Sequence, residues 1–297
     1  MDQQTRAMHT VAAGYLAAFD AKAPGRRSAA VWRFERATCA QLLASPKRTE
    51  VVNDIYAIVG ENGERDTAIE DEVLCEVDQK FCSARDAVVS RGQVAEEQWC
   101  DLAWFIAFQL ERTPRTFQMV LEEMRDHGMS FERDAPQKLM ILTVRRLLRW
   151  LLRMDWLICY NESDFPFLTS DNPAVMWRDR GPGVETGVGF LVPDLHITMP
   201  LAPTVLMMIS HTEASLKMVR TEPIDADPEP GRYALRIRGG PIGTDGVKRL
   251  NLVSIANADR CVYASYNDAA LQRFLSGRFF GTPGPVRRPL PPAAVPR

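Results

Sequence analysis

Between residues 66 and 154 apolar side chains recur at steps of three and four, and beyond 156 the step shortens to two. The first pattern predicts helices over 66–90, 96–111, 114–127 and 135–154. Thr113-Pro114 divides the second from the third: a residue before proline leaves the α region, threonine caps the next helix and proline fits its first turn. The second pattern predicts strands at 156–160, at 167–177 with a break at Asn172-Pro173, at 195–210 with proline breaks, and at 232–238. A helix over 245–258, a strand at 261–265 and a short helix over 268–276 follow. Ahead of the helical block, 8–60 holds a short helix at 15–19, a strand at 30–35 and an extended piece at 51–58. Strands gathered after helices indicate an α+β fold, a helical block followed by a mostly antiparallel sheet, rather than a doubly wound one. A single domain is expected over 1–280, and the proline-rich stretch 281–297 is expected to be an extended, disordered tail.

Several polar residues interrupt the apolar faces. In helix 66–90 the inward positions are Ile69, Val73, Val77, Phe81, Ala84 and Val88, and Glu70 falls among them. A buried carboxylate has to be paired, hydrogen-bonded or neutralised, so Glu70 is either half of a structural ion pair or a functional acid. Glu76 and Lys80, at the edge of that face, are spaced for a surface pair. In helix 96–111 the inward set is Trp99, Leu102, Ala103, Ile106 and Leu110, with Phe105 widening it; Gln109 projects within this band and Arg112 follows three residues later. An amide beside a guanidinium suits recognition of a carboxylate, phosphate or base edge, and equally suits tying Glu70 down. Asn251 lies between Val247 and Ile255 on the last long helix, where it would clamp a loop or hold a ligand. Ser170-Asp171-Asn172-Pro173 sets short polar groups at the end of an apolar strand, which fits an Asx turn or a displayed catalytic group.

Composition narrows the function classes. The formal net charge is -2, so no global field draws the chain to nucleic acid or membrane. The N-terminus lacks a continuous apolar run, and the run at 147–152 is interrupted by arginine, which predicts a cytoplasmic protein with no membrane segment. The six cysteines form no CxxC pair and have no histidine at metal-ligand spacing, so they are read as reduced, with Cys75 and Cys82 as small packing residues. Arg145, Arg146, Arg149 and Arg153 form a basic stripe, expected to be a solvated helix face. His127 reads as a helix-ending residue, and His196 and His211 as structural groups flanking a strand.

The segment from His9 to Phe19 carries His9, Val11, Tyr15, Leu16 and Phe19; FIAFQLERTP carries Gln109, Arg112, Thr113 and Pro114; FLTSDNP carries Ser170, Asp171, Asn172 and Pro173. Ile69-Glu70, Pro200-Leu201-Ala202-Pro203 and Arg249-Leu250-Asn251 complete a set that resembles the bacterial domain-of-unknown-function family numbered 4238. That family usually has a proline soon after the first histidine, where this chain has Ala12. The resemblance implies no reaction, but it falls on the residues that helix geometry selects.

Two functions fit these residues. In the first, a hydrolase acts on a phosphate-containing or nucleic-acid-like substrate. Glu70 and Asp171 are metal ligands or bases, His9 is the general acid or base, and Arg112 clamps the anion. Gln109, Asn172 and Asn251 position the substrate; the carboxylates could hold a divalent cation, and no cofactor is assigned. No GxSxG, HExxH or P-loop pattern is present to support a familiar enzyme class. In the second, the same residues form a noncatalytic module that recognises a small anion or a nucleotide. Either way, Glu70 is expected to be buried within reach of Arg112, Gln109 or His9.

Overall fold

The computed structural model describes residues 7–21, 28–60, 62, 64–128, 134–181, 183–213, 216 and 236–284. The first strands are β1 (Ala7–His9), β2 (Val31–Glu35), β3 (Gln41–Ala44), β4 (Val51–Asn53), β5 (Ile58–Val59) and β6 (Arg65–Asp66), with helix α1 (Ala13–Ala17) after β1. A π-helical turn, Ile69–Leu74, leads into α2 (Cys75–Val89), followed by α3 (Glu96–Glu111), α4 (Pro114–Asp126) and α5 (Ala135–Leu151). Then come β7 (Asp155–Asn161), β8 (Thr169–Ser170), β9 (Val175–Arg180), β10 (Gly183–Thr186), β11 (His196–Ala202), β12 (Val205–Ser210) and β13 (Arg236–Ile242). Helix α6 (Thr244–Asn257), strand β14 (Cys261–Ala264) and helix α7 (Ala269–Leu275) complete the α+β fold.

The larger sheet runs β10-β9-β11-β12-β7-β13, antiparallel except where β13 joins β7. Along β12, Val205, Met207 and Ile209 enter the core shared with α2, α3 and α5, while Leu206 enters a second core with α6 and α7. Both faces of the sheet are thus covered, which is why β12 reads as a continuous apolar run rather than an alternation. A second antiparallel sheet, β3-β2-β14-β8, joins strands from the two ends of the chain: Val262 of β14 pairs with Phe34 on one side and Ser170 on the other. This sheet takes in the strand expected at 30–35, ahead of the helical block, as β2. Its pairing partners are more than two hundred residues apart for β2 and β14, beyond the reach of any local pattern. Among the described residues no helix is long and apolar enough to cross a membrane.

The inward face of α2 also differs from a regular 3.6-residue count. Val73 is 37% exposed and Leu74 is 1% exposed. The π turn explains the exchange, since its wider i to i+5 repeat brings Leu74 under Ile69 before Val77, Phe81, Ala84 and Val88 resume the helical spacing. Thr113 accepts the backbone N–H of Thr116 and Pro114 occupies the first turn of α4, as the Thr-Pro pair predicts. The arginine stripe of α5 is not uniformly solvated: Arg149 is buried together with Leu147, Leu148, Trp150 and Leu151 in the last turn, and Arg146 stacks over Trp150. Cys75 is exposed rather than packed, since it sits at the solvent side of the shifted face; all six cysteines are free.

The Glu76–Lys80 pair forms on the surface at 2.6 Å. His127 ends α4, His196 bonds Ser210 across β11 and β12, and His211 bonds the carbonyl of Phe190. Of the expected strand at 232–238, the first four positions lie outside the described residues, as do 285–297 of the expected tail. Gly281, Thr282 and Pro283 all hydrogen-bond to Arg36.

Candidate functional site

Arg112 is the hub of the first polar network. Helix α3 ends at Glu111 because Thr113-Pro114 forces extended backbone, and this turn leaves the Arg112 side chain inside the protein with no exposed surface. Its Nε and Nη2 donate to Oε1 of Gln109 at 3.0 and 2.8 Å, and Nη1 donates to Asp78 Oδ1 at 2.9 Å. Gln109 donates in turn to the carbonyl of Thr10 at 3.0 Å. The hydroxyl of Tyr56 donates to the carbonyl of Arg112 at 2.7 Å. Glu70 lies beside this hub, half-buried, with the backbone N–H of His9 donating to Oε1 at 3.3 Å. Its other oxygen is buried without a hydrogen-bond partner among the described residues. Burial pushes the Glu70 carboxyl up to about 7, against the opposing pull of the His9 amide and the Arg112 charge. His9, Glu70, Gln109 and Arg112 are therefore brought together, and the ion-pair partner of Arg112 is Asp78 rather than Glu70.

Asp171 belongs to a different network. Its carboxylate accepts the backbone N–H groups of Asp259, Arg260 and Cys261 at 2.9, 2.6 and 3.1 Å, fixing the turn between α6 and β14. Burial and the nearby Glu50 charge push its carboxyl up to about 7, while the amide donors favour the anion. Glu50 itself accepts from Arg260 at 2.9 Å and from the hydroxyl of Tyr263, both of which reach it from the turn that Asp171 holds and the strand after it. Asn172 donates to the carbonyl of Asn257 at 3.1 Å. Asn251 acts as a clamp, accepting from Leu168 N–H and donating to the Pro166 carbonyl, both at 2.8 Å. Tyr15 is a third tie, its hydroxyl 2.6 Å from Thr169 Oγ1 and 2.7 Å from the Pro200 carbonyl.

The Gln109–Arg115 turn and the loop after β8 both line one cavity of about 320 Å³. Gln109, Glu111, Thr113, Arg115, Asn172 and Asn257 supply most of its polar lining, and Met119, Val120, Leu139, Met176 and Val188 much of its apolar lining. Arg115 is held by Asn257 and, at 3.7 Å, by Asp259. Glu111 makes no hydrogen bond or ion pair among the described residues, and burial alone pushes its carboxyl up to about 7. Of the residues chosen from the sequence, Gln109 and Asn172 reach the cavity; His9, Glu70, Arg112, Asp171 and Asn251 are not part of its lining. Among the described residues no three His, Cys, Asp or Glu side chains are grouped to hold a metal ion.

Sequence reasoning passed over Asp78, Tyr56, Glu50, Glu111, Arg115 and Asn257. Glu111 and Arg115 sit within the same ERTPR stretch that drew attention to Arg112, so their position in the motif was the available signal. Asp78 lies in the regular part of α2, one turn after Leu74 and one before Phe81, and Leu74 is inward only because of the π turn before it. No curated protein and no solved structure is detectably similar to this chain. Residues 8–268 match the model of the protein family of unknown function DUF4238, and the chain belongs to that family.

Proposed function

We propose that this protein binds a small organic molecule in the cavity between the Gln109–Arg115 turn, the loop after β8 and the end of α6, as a noncatalytic recognition module. The observation that carries the reading is the cavity itself: about 320 Å³, mostly apolar, with Glu111, Arg115 and two asparagine amides in its wall. A largely apolar recess with a few convergent polar groups is the usual form of a small-molecule site. The ligand is an organic molecule rather than a bare anion, since most of its surface would meet Met119, Val120, Leu139, Met176 and Val188.

The hydrolase reading gains less support. Its three chemical groups divide between two networks, His9 with Glu70 and Asp171 with three backbone amides. The guanidinium of Arg112 is enclosed and its donors face Gln109 and Asp78, which leaves no surface for a substrate anion.

A thermal-shift screen of small organic compounds tests the proposal, run on the wild type and on Gly189→Leu. Gly189 lines the cavity, and a Cβ there would meet nothing within 4 Å, so leucine narrows the recess without a clash at its first carbon. Compounds that raise the wild-type melting temperature with concentration, and fail to do so for the variant, are the expected result. A screen without such compounds, or one giving equal shifts in both proteins, would overturn it.

A further inference from the structure

Taking the cavity as a ligand site, we propose that its occupant carries a positively charged amine and that Glu111 is the group that recognises it. Glu111 is the one carboxylate among the described residues of the cavity wall. It stands at the carboxyl end of α3, where the helix dipole is negative, so the helix itself disfavours its ionised form. The donors that share the wall, Gln109, Thr113, Arg115, Thr116, Asn172 and Asn257 among them, make no hydrogen bond to Glu111 among the described residues.

Arg115 is the other charged residue of the lining, and it is already engaged by Asp259 and Asn257. Burial raises the Glu111 carboxyl to about 7 with no counter-charge acting on it. Glu111 is thus a half-buried acid with no protein partner among the described residues, facing a recess whose lining is mostly apolar.

An alkylammonium ion meets both demands. Its N–H groups form a charge-assisted hydrogen bond with the carboxylate, and its carbon skeleton lies on the apolar wall. Below the pKa of Glu111, binding releases one proton from the carboxyl to solvent, the ammonium keeping its own. A ligand carboxylate would face repulsion from ionised Glu111 and gain only what Arg115 has left after Asp259. The site therefore discriminates by charge sign, and the polar groups at the Asn172 and Asn257 end accept or donate to a neutral substituent.

The test uses the full chain and matched probes: hexyl, cyclohexylethyl and phenylethyl amines, each with the corresponding alcohol and carboxylate. Titration calorimetry near neutral pH, in two buffers of different ionisation enthalpy, reads affinity and proton release together. The expected result is an amine bound about tenfold or more tightly than its alcohol, with proton release that increases toward lower pH. Glu111→Gln should bring amine and alcohol to equal affinity and remove the proton release, while Gly189→Leu weakens both. Equal binding of amine and alcohol by the wild type, or a preference for amine that persists in Glu111→Gln, would overturn the assignment to Glu111 and leave the cavity reading standing. Failure of every probe would overturn both.

Discussion

Gln109 Oε1 accepts two hydrogen bonds from Arg112, at 3.0 and 2.8 Å, so one amide oxygen holds the guanidinium edge-on while the opposite edge faces Asp78. Gln109 also lines the cavity, and its amide nitrogen bonds the carbonyl of Thr10. One side chain therefore links α3, the segment after β1 and the cavity wall. The buried charge of Arg112 is thereby coupled to the position of Gln109 in the cavity wall.

Arg112→Met should destabilise the fold by about 3–5 kcal/mol, because it leaves Asp78 and Gln109 without their partner. Replacing the pair together, Arg112→Met with Asp78→Leu, should recover a large part of that loss, since two apolar groups remove the unpaired charge. Urea denaturation of the three proteins measures this. A double variant no more stable than the single one would show that the pair is not coupled.

Asp171→Asn should cost at least about 2 kcal/mol, because an amide presents one oxygen where the carboxylate serves three backbone N–H groups. The loss should appear as a lower melting temperature, with hydrogen exchange accelerated first at the amides of 259–261. Unchanged protection of those amides would contradict the role given to Asp171.

Stability at Glu111 should depend on pH in the direction opposite to that of a salt-bridged acid. A carboxyl with a higher pKa when folded binds an extra proton in the native state, so its contribution is present below the unfolded pKa and is lost as pH rises through the folded one. For Glu111 that window runs from its ordinary 4.5 to about 7. Glu111→Gln removes the dependence, so the stability of the variant relative to the wild type should grow between about pH 5 and about pH 8. Denaturation at both pH values checks this, and a difference that stays flat or shrinks would contradict it. Glu70 is shifted in the same direction and by the same cause, so Glu70→Gln should show the same sign.

Gly14→Ala should destabilise the packing of α1 on α2, since a Cβ at Gly14 would stand 2.7 Å from Cys82 Sγ. Cys82→Ala removes the obstructing sulfur, so the double variant should be more stable than the sum of the single effects predicts, by about 1 kcal/mol. Additive effects in a double-mutant cycle would show that the contact is relieved by other means.

Legibility in the sequence followed the range of the interactions. The helices α3 and α4 and the Thr-Pro break between them were readable because their spacing and capping are local. Gln109 and Arg112 were readable as neighbours for the same reason, since three residues on a helix share a side. Asn251 was marked as a loop clamp or ligand contact by its place on an apolar stripe, and the loop it holds lies at Pro166–Leu168, eighty-three residues from it in sequence at the nearer contact. Val73 and Leu74 exchanged places because the π turn changes the local period, which no regular count anticipates.

The sequence by itself determined the α+β class, the periodic faces and the polar residues that those faces could not bury unaided. Tertiary structure alone decided which partners satisfied them: Asp78 for Arg112, the amides of 259–261 for Asp171, and none within the described chain for Glu111. The cavity belongs to the second class as well, because its walls come from α3, α4, α5, the loop after β8, β9 and α6. The physical reason is that local periodicity fixes which side of an element turns inward, whereas the groups that face it are chosen by packing between segments far apart in the chain.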